Sequence, residues 1–175
     1  MSVATVTKVG LSAMAKAVAE RTLHLAWGSG DPAWDDDPSQ KPSLVPATAL
    51  THELGRRIPR TVTYAEPDEA GDVVVPVGQN ADGSVRKERY RLSAEPTPYI
   101  YVNAVFEYED ASAAVVREVG LFMDTEVKEG LPAGQRYFTP AELDKPGLLL
   151  TAQNLDTPIN RSSAVRQTIE FIFAI

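Results

Sequence analysis

The chain has 175 residues, 43% of them hydrophobic, which is enough for the core of one domain, and we expect a single domain over residues 1–175. Its formal net charge of -7 and its scattered basic residues argue against a nucleic-acid partner, because phosphate binding needs clustered Lys and Arg. It has no cysteine, which excludes disulfides and cysteine–zinc sites, and its apolar runs are too short for a membrane span, so we expect no membrane partner.

The first predicted element is an amphipathic helix that runs from about Thr7 to Arg21. Thr7 is the better candidate for its N-cap, and Ser12 takes that role if Gly10 delays the start of the helix. We expect the helix to cover the core with one face rather than to bind a partner. The apolar residues that repeat at helical spacing are Leu11, Met14, Ala15, Val18 and Ala19.

Residues 22–30 predict a strand that ends at two glycines. Alternation places the side chains of Leu23, Leu25 and Trp27 on one side of this strand. The two glycines do not form a nucleotide-binding turn, because a third glycine is missing and a proline and acidic residues follow.

Residues 31–46 are rich in proline and aspartate, a composition that predicts a surface loop, which we call the acidic loop. Calcium is an alternative use of its carboxylates, but the spacing does not match an EF-hand and three consecutive aspartates do not readily face one ion. A tryptophan in such a loop either folds back on the core or contacts another protein. We predict a partner interface that consists of Trp34, Asp35, Asp36 and Asp37.

The middle of the chain predicts a short helical turn followed by strands. Residues 47–57 predict the helical turn, with Gly55 near its end. A turn at residues 66–71 separates the first two strands, and a turn at residues 78–84 precedes a third, polar strand that we expect to be exposed. These three strands are predicted at residues 58–65, 72–77 and 86–92.

The second half of the chain predicts further strands. Residues 99–108 are apolar on both faces, which is typical of a central strand, and residues 115–123 are expected to return as its neighbour after a turn. The remaining strands are predicted at residues 135–139, 147–153 and 165–175.

The final predicted strand carries large apolar residues on its odd-numbered face, which must be buried inside the domain or at a subunit boundary. We favour the internal arrangement, in which a turn at residues 156–161 folds this strand back onto residues 147–153. The apolar residues of that face are Val165, Ile169, Phe171, Phe173 and Ile175.

Catalytic and metal-binding patterns are weak in this sequence. His24 and His52 lie in different elements and lack a second ligand at metal spacing, and no Gly-x-Ser-x-Gly motif is present. Glu107 and Glu109 share a strand face and offer a formal basis for glycosidase chemistry, although exposed carboxylates are far commoner on strands. We therefore expect no enzymatic activity, no metal and no cofactor.

A compact motif, Arg-Glu-Val-Gly-Leu-Phe, begins at Arg117 and ends at Phe122. Arg117 and Glu118 form a charged pair that enters an apolar strand, as a surface ladder or as a buried pair that specifies the fold. Gly120 fits a bulge or a close approach of another segment. We interpret Arg117, Glu118, Gly120 and Phe122 as a structural motif.

Four motifs in this order resemble the N-terminal domain of phage tail-collar and tail-fibre proteins. They are Thr7 to Leu11, Leu23 to Gly30, Leu50 to Leu54, and Arg117 to Phe122. That domain attaches a fibre to the baseplate, so the resemblance implies a role in virion assembly. The chain stops near the point where a fibre shaft would begin, and the acidic loop resembles an insertion, which implies a stand-alone baseplate or tail component.

We therefore expect an α+β fold, with an N-terminal helix packed on a mostly antiparallel, sandwich-like β structure. The expected function is a structural protein of a phage tail, or of a related contractile injection machine, that joins baseplate to tail fibre in multiple copies. We expect it to assemble in the host cytoplasm and to contact other tail, baseplate and fibre proteins. The alternative is a small carbohydrate-binding or glycan-hydrolysing tail module. Its aromatic platform would consist of Trp27, Trp34, Tyr99 and Tyr101.

Overall fold

A computed structural model describes residues 4–79 and 84–175, apart from the side chains of residues 77–79 and 85. The helices in this part of the chain are α1 (Lys8–Ala19) and α2 (Ala33–Asp36), with 3-10 turns at Pro38–Gln40 and Pro140–Glu142. The strands are β1 (Leu23–Gly28), β2 (Glu53–Arg57), β3 (Thr61–Pro67), β4 (Val73–Gln79), β5 (Val85–Ser93), β6 (Tyr99–Phe106), β7 (Val115–Met123), β8 (Glu126–Val127), β9 (Tyr137–Phe138), β10 (Leu143–Lys145), β11 (Leu148–Asn160) and β12 (Gln167–Ala174).

The chain forms two compact units. Unit 1 consists of the described residues within Met1–Glu20, Arg60–Asn103 and Glu170–Ile175, and unit 2 consists of Arg21–Pro59 and Ala104–Ile169. Strands β6 and β12 each contribute residues to both units. The expectation of a single domain stays a prediction.

Unit 2 contains an antiparallel sheet with the strand order β11-β7-β1-β2-β9, and a two-stranded sheet of β10 and β8. Every residue of β1 is buried, because β1 lies between β7 and β2 and carries apolar side chains on both faces. The Trp27 ring stacks on Phe106 with 3.5 Å between ring centroids, and its Nε1 donates to the Tyr137 hydroxyl at 3.2 Å. This aromatic group is central to the core of unit 2.

Unit 1 contains α1 and most of a second sheet, whose strand order is β12-β6-β3-β5-β4. The central position predicted for residues 99–108 is confirmed, since β6 lies between β12 and β3. Strand β5 is largely exposed, as predicted, except for Tyr90, which packs in a cluster with Ala65, Val75 and Tyr101.

The predicted α+β class is confirmed, with a mostly antiparallel β structure and one N-terminal helix. The helix begins and ends close to the predicted bounds, and the hydroxyl of its N-cap, Thr7, accepts a hydrogen bond from the Gly10 N–H at 3.1 Å. Its Ala15 is fully buried.

The helical turn predicted at residues 47–57 is wrong, because residues Glu53–Arg57 form strand β2. Gly55 is a strand residue that lies opposite Trp27, and a Cβ at this position would come within 2.3 Å of the Tyr137 hydroxyl oxygen. The glycine is therefore required by packing between distant segments and does not mark a helix end.

The expected pairing of two strands is also wrong. Strand β7 pairs with β1 and β11, whereas β6 pairs with β3 and is adjacent to β12. Strong apolar patterns identified both strands but carried no information about which neighbour each one takes.

The arrangement predicted for the last two strands is wrong as well. Residues 156–160, predicted as part of a reversing turn, continue strand β11 past a register shift between Asn154 and Ile159. The shift leaves Pro158 outside the regular ladder, so its missing N–H does not interrupt the strand. Strand β12 lies beside β6 instead of β11.

The apolar face of β12 is less buried than predicted. Val165 precedes the strand and is 57% exposed, and the other four residues of that face are only half-buried. Of the turn predicted at residues 78–84, residues 80–83 lie outside the described residues. No helix within the described ranges is both long and apolar enough to cross a membrane.

Candidate interaction surface

The acidic loop folds back so that its tryptophan is buried. Trp34 lies in the short helix α2 and is 5% exposed. Gly30 precedes the loop with a φ of +55°, and a Cβ there would lie 2.3 Å from the Trp34 ring. Glycine is therefore required at this position both for its backbone conformation and for the space that the ring occupies.

Arg117, the first residue of the structural motif, anchors this loop. Its Nε donates to Oδ1 of Asp35 at 2.9 Å and its Nη2 donates to Oδ2 at 2.7 Å, which is a bidentate ion pair. Its Nη1 also donates to the carbonyl oxygen of Ser29 at 3.0 Å. The hydrogen bond from Arg117 holds the pKa of Asp35 below its usual range, so the pair is charged at neutral pH.

Glu118, the next residue, anchors a second segment. Its carboxylate accepts the backbone N–H groups of Thr51 at 3.0 Å and His52 at 2.9 Å. Nδ1 of His52 is 2.9 Å from the carbonyl oxygen of Gly30. Two consecutive side chains of β7 therefore fix the segments on both sides of the acidic loop.

The other two motif residues are packed in the core of unit 2. Gly120 lies opposite Ala26 in the β1–β7 pair, and a Cβ on it would lie 2.9 Å from the Leu149 side chain. The predicted close approach is therefore present, without a register shift in that pair. Phe122 is 1% exposed, and the Arg56 guanidinium lies 3.5 Å above its ring centroid.

Acidic side chains and one apolar side chain of the loop are exposed. Asp36 and Asp37 are exposed, and Val45 is 96% exposed. Oδ1 of Asp37 accepts from the Ser39 hydroxyl at 2.6 Å, and this bond keeps the pKa of Asp37 below its usual range. The loop thus presents negative charge and one apolar side chain on an ordered backbone.

A small cavity of about 100 Å³ adjoins the loop within unit 2. Trp34, Lys41 and Arg117 line one part of it, and Leu155 and Pro158 line another. A cavity of this size is large enough to hold water.

Three of the four carboxylates of the loop have protein partners. Asp31 accepts from the Ala33 N–H at 2.9 Å, while Asp35 and Asp37 are held by Arg117 and Ser39. Within the described residues, no group of three or more potential ligands is arranged to hold a metal ion.

The structure does not support the glycan alternative. Trp27, Trp34 and Tyr101 are all buried, so they do not present open ring faces for stacking on a sugar. Glu107, one of the paired carboxylates, forms an ion pair with Arg166 at 2.5 Å and lies 3.7 Å from Arg57. These observations correct the expectation that the aromatic residues form a platform.

One buried side chain of unit 2, that of Arg161, was not identified from the sequence. Arg161 is buried, its Nη2 donates to the carbonyl oxygen of Glu107 at 2.7 Å, and its guanidinium lies 5.0 Å from the Trp27 ring centroid. The sequence predicts it only as the last residue of the turn at residues 156–161. Its neighbours Asn160 and Ser162 are polar, and nothing in this local pattern distinguishes a buried arginine from an exposed one.

The comparison with protein families identifies the chain. A family described as baseplate wedge 3 tail fiber network component matches residues 3–175. The chain belongs to this family. The protein is therefore a structural component of the phage tail baseplate, located in the tail of the virion, where it interacts with other baseplate and tail-fibre proteins. None of the functionally curated proteins compared with the chain matches it.

Proposed function

We propose that this protein is an adaptor that joins the baseplate to a tail fibre, and that the acidic loop is its partner-facing surface. It acts by protein–protein assembly, in multiple copies per particle, with neither nucleic acid nor membrane as a partner and without a cofactor. Its assembly takes place in the host cytoplasm. Membership in this family supports the adaptor role, since the family description names both the baseplate wedge and the tail-fibre network.

The ion pair between Arg117 and Asp35 is the observation that carries this proposal. A surface loop without a binding role does not need a bidentate anchor. A binding loop, in contrast, gains affinity if it is ordered before the partner arrives. Gly30 and Trp34 add a second point of attachment, because the ring packs where a Cβ would otherwise be. The backbone of the loop is fixed while Asp36 and Val45 stay exposed.

The four predicted interface residues then have two different roles. Trp34 and Asp35 hold the loop in place, and Asp36 and Asp37 meet the partner. The complementary partner is a neighbouring tail protein with Lys or Arg side chains placed opposite these carboxylates. Val45, which is 96% exposed in the same loop, is available as an apolar contact.

The test is a charge reversal in the phage itself. Asp36→Lys should reduce the number of fibres per virion, because a rim charge of the wrong sign repels a basic partner and slows its association. The matched control is Glu129→Lys, which makes the same charge change at another exposed position of unit 2. Quantitative mass spectrometry of purified virions measures the ratio of fibre protein to tail-tube protein.

Melting temperatures of the isolated variants show whether each one is folded. If Asp36→Lys is folded and its virions carry the wild-type number of fibres, the acidic loop is not the partner-facing surface. If both variants lose fibres equally, the effect comes from net charge and the proposal also fails.

A further inference from the structure

The last strand of unit 1 has one edge that no other described strand covers. Strand β12 is at the end of its sheet, and β6 is the only described strand next to it. The Ile175 N–H donates to the carbonyl oxygen of Pro98 at 3.0 Å, and the Glu170 carboxylate accepts from Nδ2 of Asn103 at 2.9 Å. The two strands therefore run antiparallel, with the end of β12 beside the start of β6.

This pairing determines which backbone groups are free. The backbone groups of successive strand residues point to alternate edges, and the Ile175 N–H points towards β6. The N–H and C=O groups of Phe171 and Phe173 therefore face β6 as well. Those of Glu170, Ile172 and Ala174 point away from the sheet, which makes three donors and three acceptors available to another strand.

The other edges of the two sheets are protected in ways that β12 is not. Strand β4 contains Pro76 and has a register shift between Pro76 and Gly78. Strand β11 has two register shifts, and β9 is only two residues long. Strand β12 contains no proline, glycine or basic residue. Because exposed edges are usually blunted by such features, the open edge of β12 is suited to pairing.

The side chains beside this edge are also suited to pairing. Phe171 and Phe173 are half-buried, with their ring centroids 6.1 Å apart. Aromatic side chains that meet across two strands stabilise the pair by roughly 0.2–1 kcal/mol relative to alanine. Burial of their remaining exposed surface adds to this gain.

We propose that β12 pairs with the β12 of a second copy of this protein, antiparallel and centred on Ile172. This register places Phe171 opposite Phe173 of the other copy, and Glu170 opposite Ala174. Glu170 is the only ionisable side chain in residues 170–175, so no like charges face each other. The pairing is isologous, which closes the assembly as a dimer with a continuous sheet.

The size of the edge determines how strong this dimer is. Six strand residues extend roughly 20 Å, so pairing along this edge alone buries less than the roughly 1,600 Å² of a standard interface. Each copy also carries a net charge of -7, which opposes association and is screened by salt. We therefore expect a weak dimer whose population rises with protein concentration and with ionic strength.

Ala174 provides a test of both the edge and the register. Ala174→Glu places a carboxylate opposite Glu170 of the other copy, twice in each symmetric dimer, and should raise the dissociation constant by about tenfold. Ala174→Lys forms an attractive pair at the same place and should lower the dissociation constant. Val74→Glu, at a 42% exposed site on the opposite edge strand β4, is the matched control for net charge. Sedimentation equilibrium of the full chain measures all four proteins.

Hydrogen exchange gives an independent readout. Dimer formation should slow exchange of the Glu170, Ile172 and Ala174 amides, whereas the Phe171 and Phe173 amides should be protected already in the monomer. A protein that stays monomeric at every concentration and salt level would overturn the proposal. So would a dimer that Ala174→Glu and Val74→Glu weaken equally, or protection of these amides only after another tail protein is added. None of these outcomes bears on the acidic loop.

Discussion

At the scale of single residues, His24 has the environment that most strongly opposes its charged form. It is 2% exposed, and neither ring nitrogen has a hydrogen-bond partner among the described residues. Burial, followed by the nearby positive charge of Arg56, lowers the pKa of His24 to about 4. Its ring packs edge-on against Phe138, with 5.7 Å between centroids. His24 is therefore a core residue whose imidazole ring is neutral at neutral pH.

This environment predicts a specific dependence of stability on pH. The native pKa of His24 lies below the unfolded value of 6.5, so protonation favours the unfolded chain. The free energy of unfolding is therefore highest above about pH 6.5 and decreases as the pH falls towards 4. The decrease is about 2 kcal/mol between pH 7 and pH 5. In His24→Leu, urea titrations over this interval should show a correspondingly smaller loss. Equal losses in the two proteins would contradict the assignment.

At the scale of elements, the anchoring of the acidic loop predicts different effects for two neighbouring aspartates. Asp35→Asn weakens the charged acceptor of Arg117, whose guanidinium is nearly buried, and should lower the melting temperature by several degrees. Asp36→Asn makes the same chemical change at an exposed residue and should leave the melting temperature unchanged. Differential scanning fluorimetry measures both, and equal melting temperatures would show that the ion pair does not stabilise the loop.

The elements also differ in how well local sequence patterns predict them. Helix α1 and strand β7 were predicted within about two residues, because each has a pattern that is complete within its own segment. Strand β2 was missed because Gly55 is selected by Trp27 and Tyr137, which are distant along the chain. For the candidate site, the acidic loop was identified from its composition. Its link to Arg117 was not, because the two bonded residues are 82 positions apart and local patterns contain no record of such contacts.

At the scale of the whole molecule, the path of the chain connects the two compact units more than once. The chain passes from one unit to the other after residues 20, 59, 103 and 169, and two of these passages lie inside β6 and β12. A strand that carries residues of both units is not readily lost from one and retained in the other. The arrangement therefore favours one cooperative folding unit, as the predicted single domain requires.

The strands shared by the two units predict a single unfolding transition, and the tryptophans make this transition measurable. The chain has two tryptophans, Trp27 and Trp34, and both belong to unit 2, whereas far-ultraviolet circular dichroism reports on the strands of both units. If the units unfold together, the urea curves from tryptophan fluorescence and from circular dichroism should coincide. The calorimetric enthalpy should also equal the van't Hoff enthalpy. A fluorescence midpoint separated from the circular dichroism midpoint would instead mean that unit 2 unfolds alone, and that the chain behaves as two domains.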